Sequence, residues 1–262
     1  MKFGRLGELK HGYNAMTTCD SEMLMDIGYQ VMDVEEVLKF QDESKETAFV
    51  ILQGKVEISW EGKKEIMERE SLFDDNPYCL HVPAGMIVVI KAKTAAQVLI
   101  QKTENETKFA AVFYFPKDVQ CDQFGAGMWN GTAERTVRTI FDYTNAPYSN
   151  MVNGEVINRP GRWSGYIPHT HPQPEVYTYK FNHPQGFGAS FIGDDAFKIT
   201  HNSWSAIPGG DSHPQVTAPG YAMWYSWMIR HLPGDPWNKT RTDEPEHVWL
   251  LDPAAKIWPA DK

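Results

Sequence analysis

The chain reads as many short runs in which apolar and polar residues alternate, bounded by Gly, Pro, Asn and Asp. "TAFVILQGKVEISWEG" (47–62), "YCLHVPAGMIVVIKAK" (78–93) and "AAQVLIQK" (95–102) set the pattern in the first half. "EVYTYKF" (175–181), "GASFIGDDAFKIT" (188–200), "SWSAIPGG" (203–210) and "YAMWYSWMIRHL" (221–232) continue it in the second. Alternation with period two places successive side chains on opposite faces of a strand. The first run predicts two strands meeting near Gly54, and Gly-Asp-Asp in "FIGDDAFKI" predicts a hairpin turn. "AERTVRTIFD" (133–142) fits a strand or a short helix equally. Many short strands with frequent turns predict an all-β sandwich or barrel.

A short internal echo divides the chain. "LHVPAGMIV" around residue 84 and "SAIPGGDSHPQV" around residue 210 share an apolar strand followed by Pro-x-Gly. Two related β-domains are expected, residues 1–115 and 116–262, joined at the turn-rich "FPKDVQCDQFGAG". The Pro-rich charged tail from residue 233 onward is expected to wrap the surface, anchored by Trp249 and Trp258.

Composition narrows the class. Of 262 residues, 42% are hydrophobic and 13% aromatic, which is globular. A net charge of −9 without a basic run argues against nucleic acid as a partner. The three cysteines, Cys19, Cys79 and Cys121, lie far apart and imply no disulfide framework. The first residues carry no apolar core, and no apolar run is long enough to span a bilayer. A cytoplasmic protein with no membrane partner is the expectation.

The candidate chemistry sits in "IPHTHPQPEVYTYKF" (167–181). On a strand, His169 and His171 share a face and can offer nitrogens to one divalent ion. Pro172 and Pro174 bend the chain, and Glu175 can return a carboxylate oxygen to the same centre. Gly209 and Gly210 permit a turn that brings His213 in as a fourth ligand. Histidines are also common in polar loops, so from the residues alone a metal site and a solvated turn both stay open.

His169-x-His171-x3-Glu175, with Pro208-x-Gly210-x-x-His213 later in the chain, resembles the two motifs of the cupin superfamily. In that superfamily the four matching residues bind one metal in a jelly-roll β-barrel. Across most of the chain, "SLFDDNPYCLHVPAG", "GAGMWNGTAERTVRTI", "NRPGRWSGYIPHTH", "EVYTYKFNHPQGFG", "PGGDSHPQVTAPGYAMWY" and "TDEPEHVWL" resemble the 5-deoxy-glucuronate isomerase family of bicupins. The 5-keto-4-deoxyuronate isomerases are a sister family. This chain departs from the pattern in two places. Asn182 stands where cupins usually carry a glycine, and the stretch between His171 and Glu175 is short.

The resemblance implies two cupin barrels. The first is without metal ligands, because Val88 stands where the ligand histidine would sit. The second holds one divalent metal, Zn, Mn, Fe, Ni or Co. It also implies a homo-oligomer and conversion of 5-deoxy-glucuronate, a small sugar acid, to 5-dehydro-2-deoxy-gluconate. Cupin oxygenases and sugar-acid binding proteins are rival readings.

Parity puts Tyr177 beside Glu175, and these two are the candidate catalytic residues. For Tyr177, proton carrier and barrel filler both remain open. Arg162, Lys180, Gln185, Asp211 and Arg230 are the candidate substrate-binding residues, although parity turns Lys180 away from Glu175.

Overall fold

The computed structural model describes residues 1–259; the last three residues of the 116–262 segment lie outside the described residues. Among the described residues the only helical pieces are two 3-10 turns, Met128–Gly131 and Val248–Leu251. Residues 12–114 form a nine-stranded sheet that wraps on itself. Six strands of the second half, with Phe3–Arg5, form a seven-stranded sheet, and four more form a second sheet. Among the described residues no helix is long and apolar enough to cross a membrane.

The first half is organised by one continuous strand, Lys45–Trp60. Its beginning pairs with Cys79–Val82, and its end pairs with Lys63–Arg69 and Val88–Ala92. The expected break at Gly54 is a bend inside this strand. The register shifts between Ile51 and Gln53, and Gly54 sits at φ +86°. A Cβ on Gly54 would lie 2.2 Å from the Ala95 carbonyl oxygen. One strand can thereby serve both layers of the sandwich. Val88 is buried in the apolar core of this half.

The seven-stranded sheet runs in the order Phe3–Arg5, Ser203–Ile207, Glu175–Phe181, Met223–Arg230, Met151–Asn158, Arg135–Phe141, Gln120–Phe124. The segment 133–142 is therefore a strand over Arg135–Phe141. The hairpin at Gly193–Asp194 joins Phe187–Ile192 to Asp195–Thr200. Phe3–Arg5 leaves the first half and pairs with Ser203–Ile207, so the N-terminus ties the halves together. In the tail, Trp258 is 89% exposed and anchors nothing; Trp129 Nε1 instead donates to Leu250 O at 3.0 Å.

Every residue of Glu175–Phe181 is buried, because this strand lies between two cores. Glu175, Tyr177, Tyr179 and Phe181 face the interior of the second sandwich. Val176 belongs to the core between the halves, together with Met25, Tyr29, Leu99 and Trp224. Thr178 and Lys180 share its face by parity. The Tyr29 and Thr178 hydroxyls are hydrogen-bonded across the junction. Lys180 Nζ donates to Asn202 Oδ1 at 2.7 Å and Gln97 Oε1 at 3.1 Å and lies 4.7 Å from the Tyr29 ring centre.

Burial pushes the Lys180 ammonium down to about 7. The folded state then holds fewer protons than the unfolded chain between that value and the ordinary lysine range. Stability must rise with pH across this window, by up to about 1.4 kcal/mol per unit. Denaturant unfolding of wild type and Lys180→Met at pH 7 and pH 9 checks the sign. The extra rise in the wild type over the variant is the expected result.

Candidate metal centre

The second sandwich builds its site from three segments. His169 lies on a two-residue strand, His169–Thr170, paired with Thr242–Asp243. After the Pro172–Pro174 turn, Glu175 opens its strand opposite Ile207 and Ile229. The loop carrying His213 is pinned to the first segment by a hydrogen bond from Gly210 N to His171 O, 2.8 Å. The contact is close enough that a Cβ on Gly209 would lie 1.9 Å from Pro172 O, which explains the glycine there.

Each imidazole is oriented by the backbone. Nδ1 of His169 lies 2.8 Å from Ile167 O, Nδ1 of His171 2.9 Å from Gln173 O, and Nδ1 of His213 2.9 Å from Asp211 O. A carbonyl can only accept, so each Nδ1 carries hydrogen and each Nε2 presents its lone pair in the neutral ring. Glu175 Oε2 lies 3.3 Å from His171 Nε2 and 3.2 Å from His213 Nε2. Candidate donor atoms of His171, Glu175 and His213 all fall within 4.8 Å of one another. The His169 ring centre is 4.9 Å from that of His213, at the edge of this cluster.

Lone pairs and a carboxylate oxygen this close repel unless a cation lies between them. A proton can serve, and so can a divalent metal. His213 Nε2 is buried without a well-formed hydrogen bond, as a ligand atom would be. Burial and the neighbouring His213 push His169 down to about 3, so it is neutral. With a proton in that place, burial works against the Glu175 carboxylate but hydrogen bonds from His171 and His213 hold it at about 2. With a metal there instead, neutral imidazoles and an ionised carboxylate make a donor set that fits a borderline divalent ion.

The cluster opens into a cavity of about 530 Å³ walled by Trp129, Tyr166, Tyr225 and Trp237. Tyr177 lines it next to Glu175, and burial together with the Glu175 charge pushes its phenol well up. It is therefore a neutral hydroxyl donor rather than a phenolate. Tyr179, deeper on the same face, donates to Ser205 Oγ at 3.0 Å and fills the sandwich.

The structure brings His169, His171, Glu175, Tyr177 and His213 together, and it places the five candidate substrate contacts outside the cavity wall. Lys180 faces the other core. Arg230 Nε donates to Thr103 Oγ1 at 2.6 Å in the first half. Gln185 sits in an exposed turn. The Asp211 carboxylate pairs with Lys2 at 2.8 Å, and only its backbone carbonyl orients His213. Arg162 is half-buried and does not line the cavity. The cavity cations are instead Arg135, Lys239 and Arg241. Alternation with Val137 and Thr139 would have exposed Arg135 had 133–142 read clearly as a strand. Lys239 and Arg241 lie in the tail, where no local periodicity marks them.

Comparison with known proteins agrees with this architecture. A 5-deoxy-glucuronate isomerase of Geobacillus kaustophilus is 25% identical over 249 residues, covering 86% of this chain and 86% of that protein. One from Lacticaseibacillus casei is 26% identical over 229 residues, covering 80% and 81%. The crystal structure of an IolB-like protein from Salmonella typhimurium superposes with a TM-score of 0.87 at 18% identity, covering 96% of this chain and all (100%) of that one. Oxalate decarboxylase from Lactobacillus farciminis superposes at 0.67 with 11% identity, covering 97% and 91%. The all-β bicupin fold is shared with these structures. The family model described as KduI/IolB matches residues 5–250, and the chain belongs to that family.

Proposed function

We propose that this protein is a metal-dependent aldose–ketose isomerase of a deoxy sugar acid, with 5-deoxy-glucuronate as substrate. The observation that carries the proposal is the convergence of three backbone-oriented histidines and Glu175 on a cavity with room for a six-carbon sugar. Relatives named 5-deoxy-glucuronate isomerase support the substrate. His169, His171, Glu175 and His213 would hold one divalent ion per chain, Zn, Mn, Fe, Ni or Co. When bound, such an ion supplies Lewis acidity that polarises the sugar carbonyl and its neighbouring hydroxyl.

The chain's own groups do the rest. The aromatic wall excludes water and packs the sugar backbone. Tyr177 can donate its Oη proton to the C1 oxygen and take the C2 hydroxyl proton in return, while the C2 hydrogen moves to C1. Glu175, with Oε2 within 3.3 Å of Nε2 of both His171 and His213, suits a ligand better than a proton carrier. Assembly as a homo-oligomer belongs to the same proposal, and the half-exposed Trp249 and Leu251 are surfaces it could use.

Proton NMR in deuterated water tests the reading. Conversion of 5-deoxy-glucuronate to the 2-ketose supports it. Conversion of a 5-keto-4-deoxyuronate alone moves the substrate to the pectin-derived acid. Label at C1 marks proton transfer, and its absence marks direct hydride shift. In the same assay Tyr177→Phe is expected to lose about 10²-fold or more in kcat, with bound metal unchanged.

A further inference from the structure

We infer that Arg135 binds the carboxylate of the sugar acid, at the end of the cavity away from the metal ligands, and so selects acids over neutral sugars. The inference rests on the isomerase reading above and adds to it the residue that recognises the charged end.

The cavity wall holds three cations, and two are already engaged. Lys239 Nζ lies 3.1 Å from Asp142 Oδ2, and Arg241 Nε lies 2.9 Å from Asp243 Oδ1. Arg135 forms no ion pair among the described residues. Its NH1 makes one hydrogen bond, to Ala133 O at 3.0 Å, and its guanidinium lies 5.5 Å from the Phe124 ring centre. A guanidinium carries five N–H donors, so most of them remain free for a ligand. Burial pulls its proton affinity down, with Arg241 adding to the effect, and an anion placed there would offset both.

Position supports the role. Arg135, Val137 and Thr139 line the cavity from one strand. Val137 is in register with Val156, and Val156 with Tyr225. The Tyr225 ring is 4.9 Å from that of Tyr177, which stands next to Glu175. Arg135 itself is in register with Asn158, Asn158 with Met223 and Met223 with Phe181, at the end of these strands opposite to the Glu175–Ile229 pair. The acidic side chain near the Arg135 end, Asp122, is held by Gln120 Nε2 at 2.7 Å.

The substrate class has the matching layout. An open-chain hexuronate carries its carbonyl at C1 and its carboxylate at C6. With C1 and C2 at the ligand cluster, C6 must lie toward the far end. A planar guanidinium there can grip both carboxylate oxygens, and its stacking on Phe124 limits its rotation.

The test compares 5-deoxy-glucuronate with 5-deoxy-glucose, which carries an alcohol in place of the carboxylate. For Arg135→Gln we expect KM for the acid to rise about 10–100-fold, the loss of a charge-assisted contact. KM for 5-deoxy-glucose should rise far less, so that the preference for the acid narrows. Inhibition by the C1-reduced acid should weaken by the same factor, and Arg135→Lys should fall between wild type and Gln. Equal losses on both sugars, or an unchanged KM for the acid, would overturn the assignment. If the wild-type protein converts neither sugar, the isomerase reading fails and takes this inference with it.

Discussion

His213→Ala is expected to remove bound metal and to cut isomerisation by about 10³-fold or more, while the fold survives. The magnitude follows from losing a Lewis acid that supplies several kcal/mol to the barrier. Among the proposed ligands His213 has the most to lose. Its Nε2 faces Glu175 at 3.2 Å, its ring sits between those of His169 and His171, and its carrier loop is locked by the Gly210–His171 hydrogen bond. Truncation leaves the carbonyl orienting Nδ1 without its partner but breaks no strand pairing. Elemental analysis, the rate assay and a thermal melt separate the outcomes. Loss of metal and rate with a near-native melting temperature is the expected combination. Full metal and full rate in the variant would remove His213 from the ligand set.

Glu155→Ala should do the opposite, destabilising the protein by about 3–5 kcal/mol with little change in the site. Glu155 accepts from Arg69 NH1 at 2.6 Å and NH2 at 2.8 Å, and from Arg138 NH1 at 3.4 Å, with all three residues buried. Arg69 also holds the carbonyls of Leu72 and Asp75, and Arg138 those of Leu72 and Phe73. This cluster clamps the 69–76 segment of the first half onto the second half's sheet. Removing the carboxylate strands two desolvated guanidinium groups. That is a large share of the roughly 5–15 kcal/mol a domain has in hand. Glu155 faces away from the cavity, since its neighbour Val156 lines it, so kcat at low temperature should hold. An unchanged urea midpoint would show that the cluster adds nothing to stability.

Three of the four residues of the candidate centre were legible as a group because they sit close in sequence and each constrains the next. Two histidines one residue apart and a glutamate after a double-proline turn leave few geometries. Strand parity then placed Tyr177 with Glu175 and turned Lys180 away. Parity says nothing about what covers the other face. Lys180 is buried there against Tyr29 and Gln97, contacts that join residues more than eighty positions apart. Arg230 and Asp211 were misplaced for the same reason, since proximity to a motif does not determine where a side chain points. Arg135 escaped because residues 133–142 show no decisive period, and its strand identity comes from pairing with Gln120–Phe124 and Met151–Asn158. Gly54 looked like a strand end because its bend is set by the close approach of Ala95, a contact the local sequence cannot show.

The most direct measurement is a metal titration of chelator-stripped protein, following ketose formation from 5-deoxy-glucuronate against metal bound per chain. The account predicts no turnover without metal, a rate that rises in proportion to occupancy, and a plateau at one ion per chain. A stripped protein that keeps its rate, or a fully loaded one that converts no sugar acid, would contradict it.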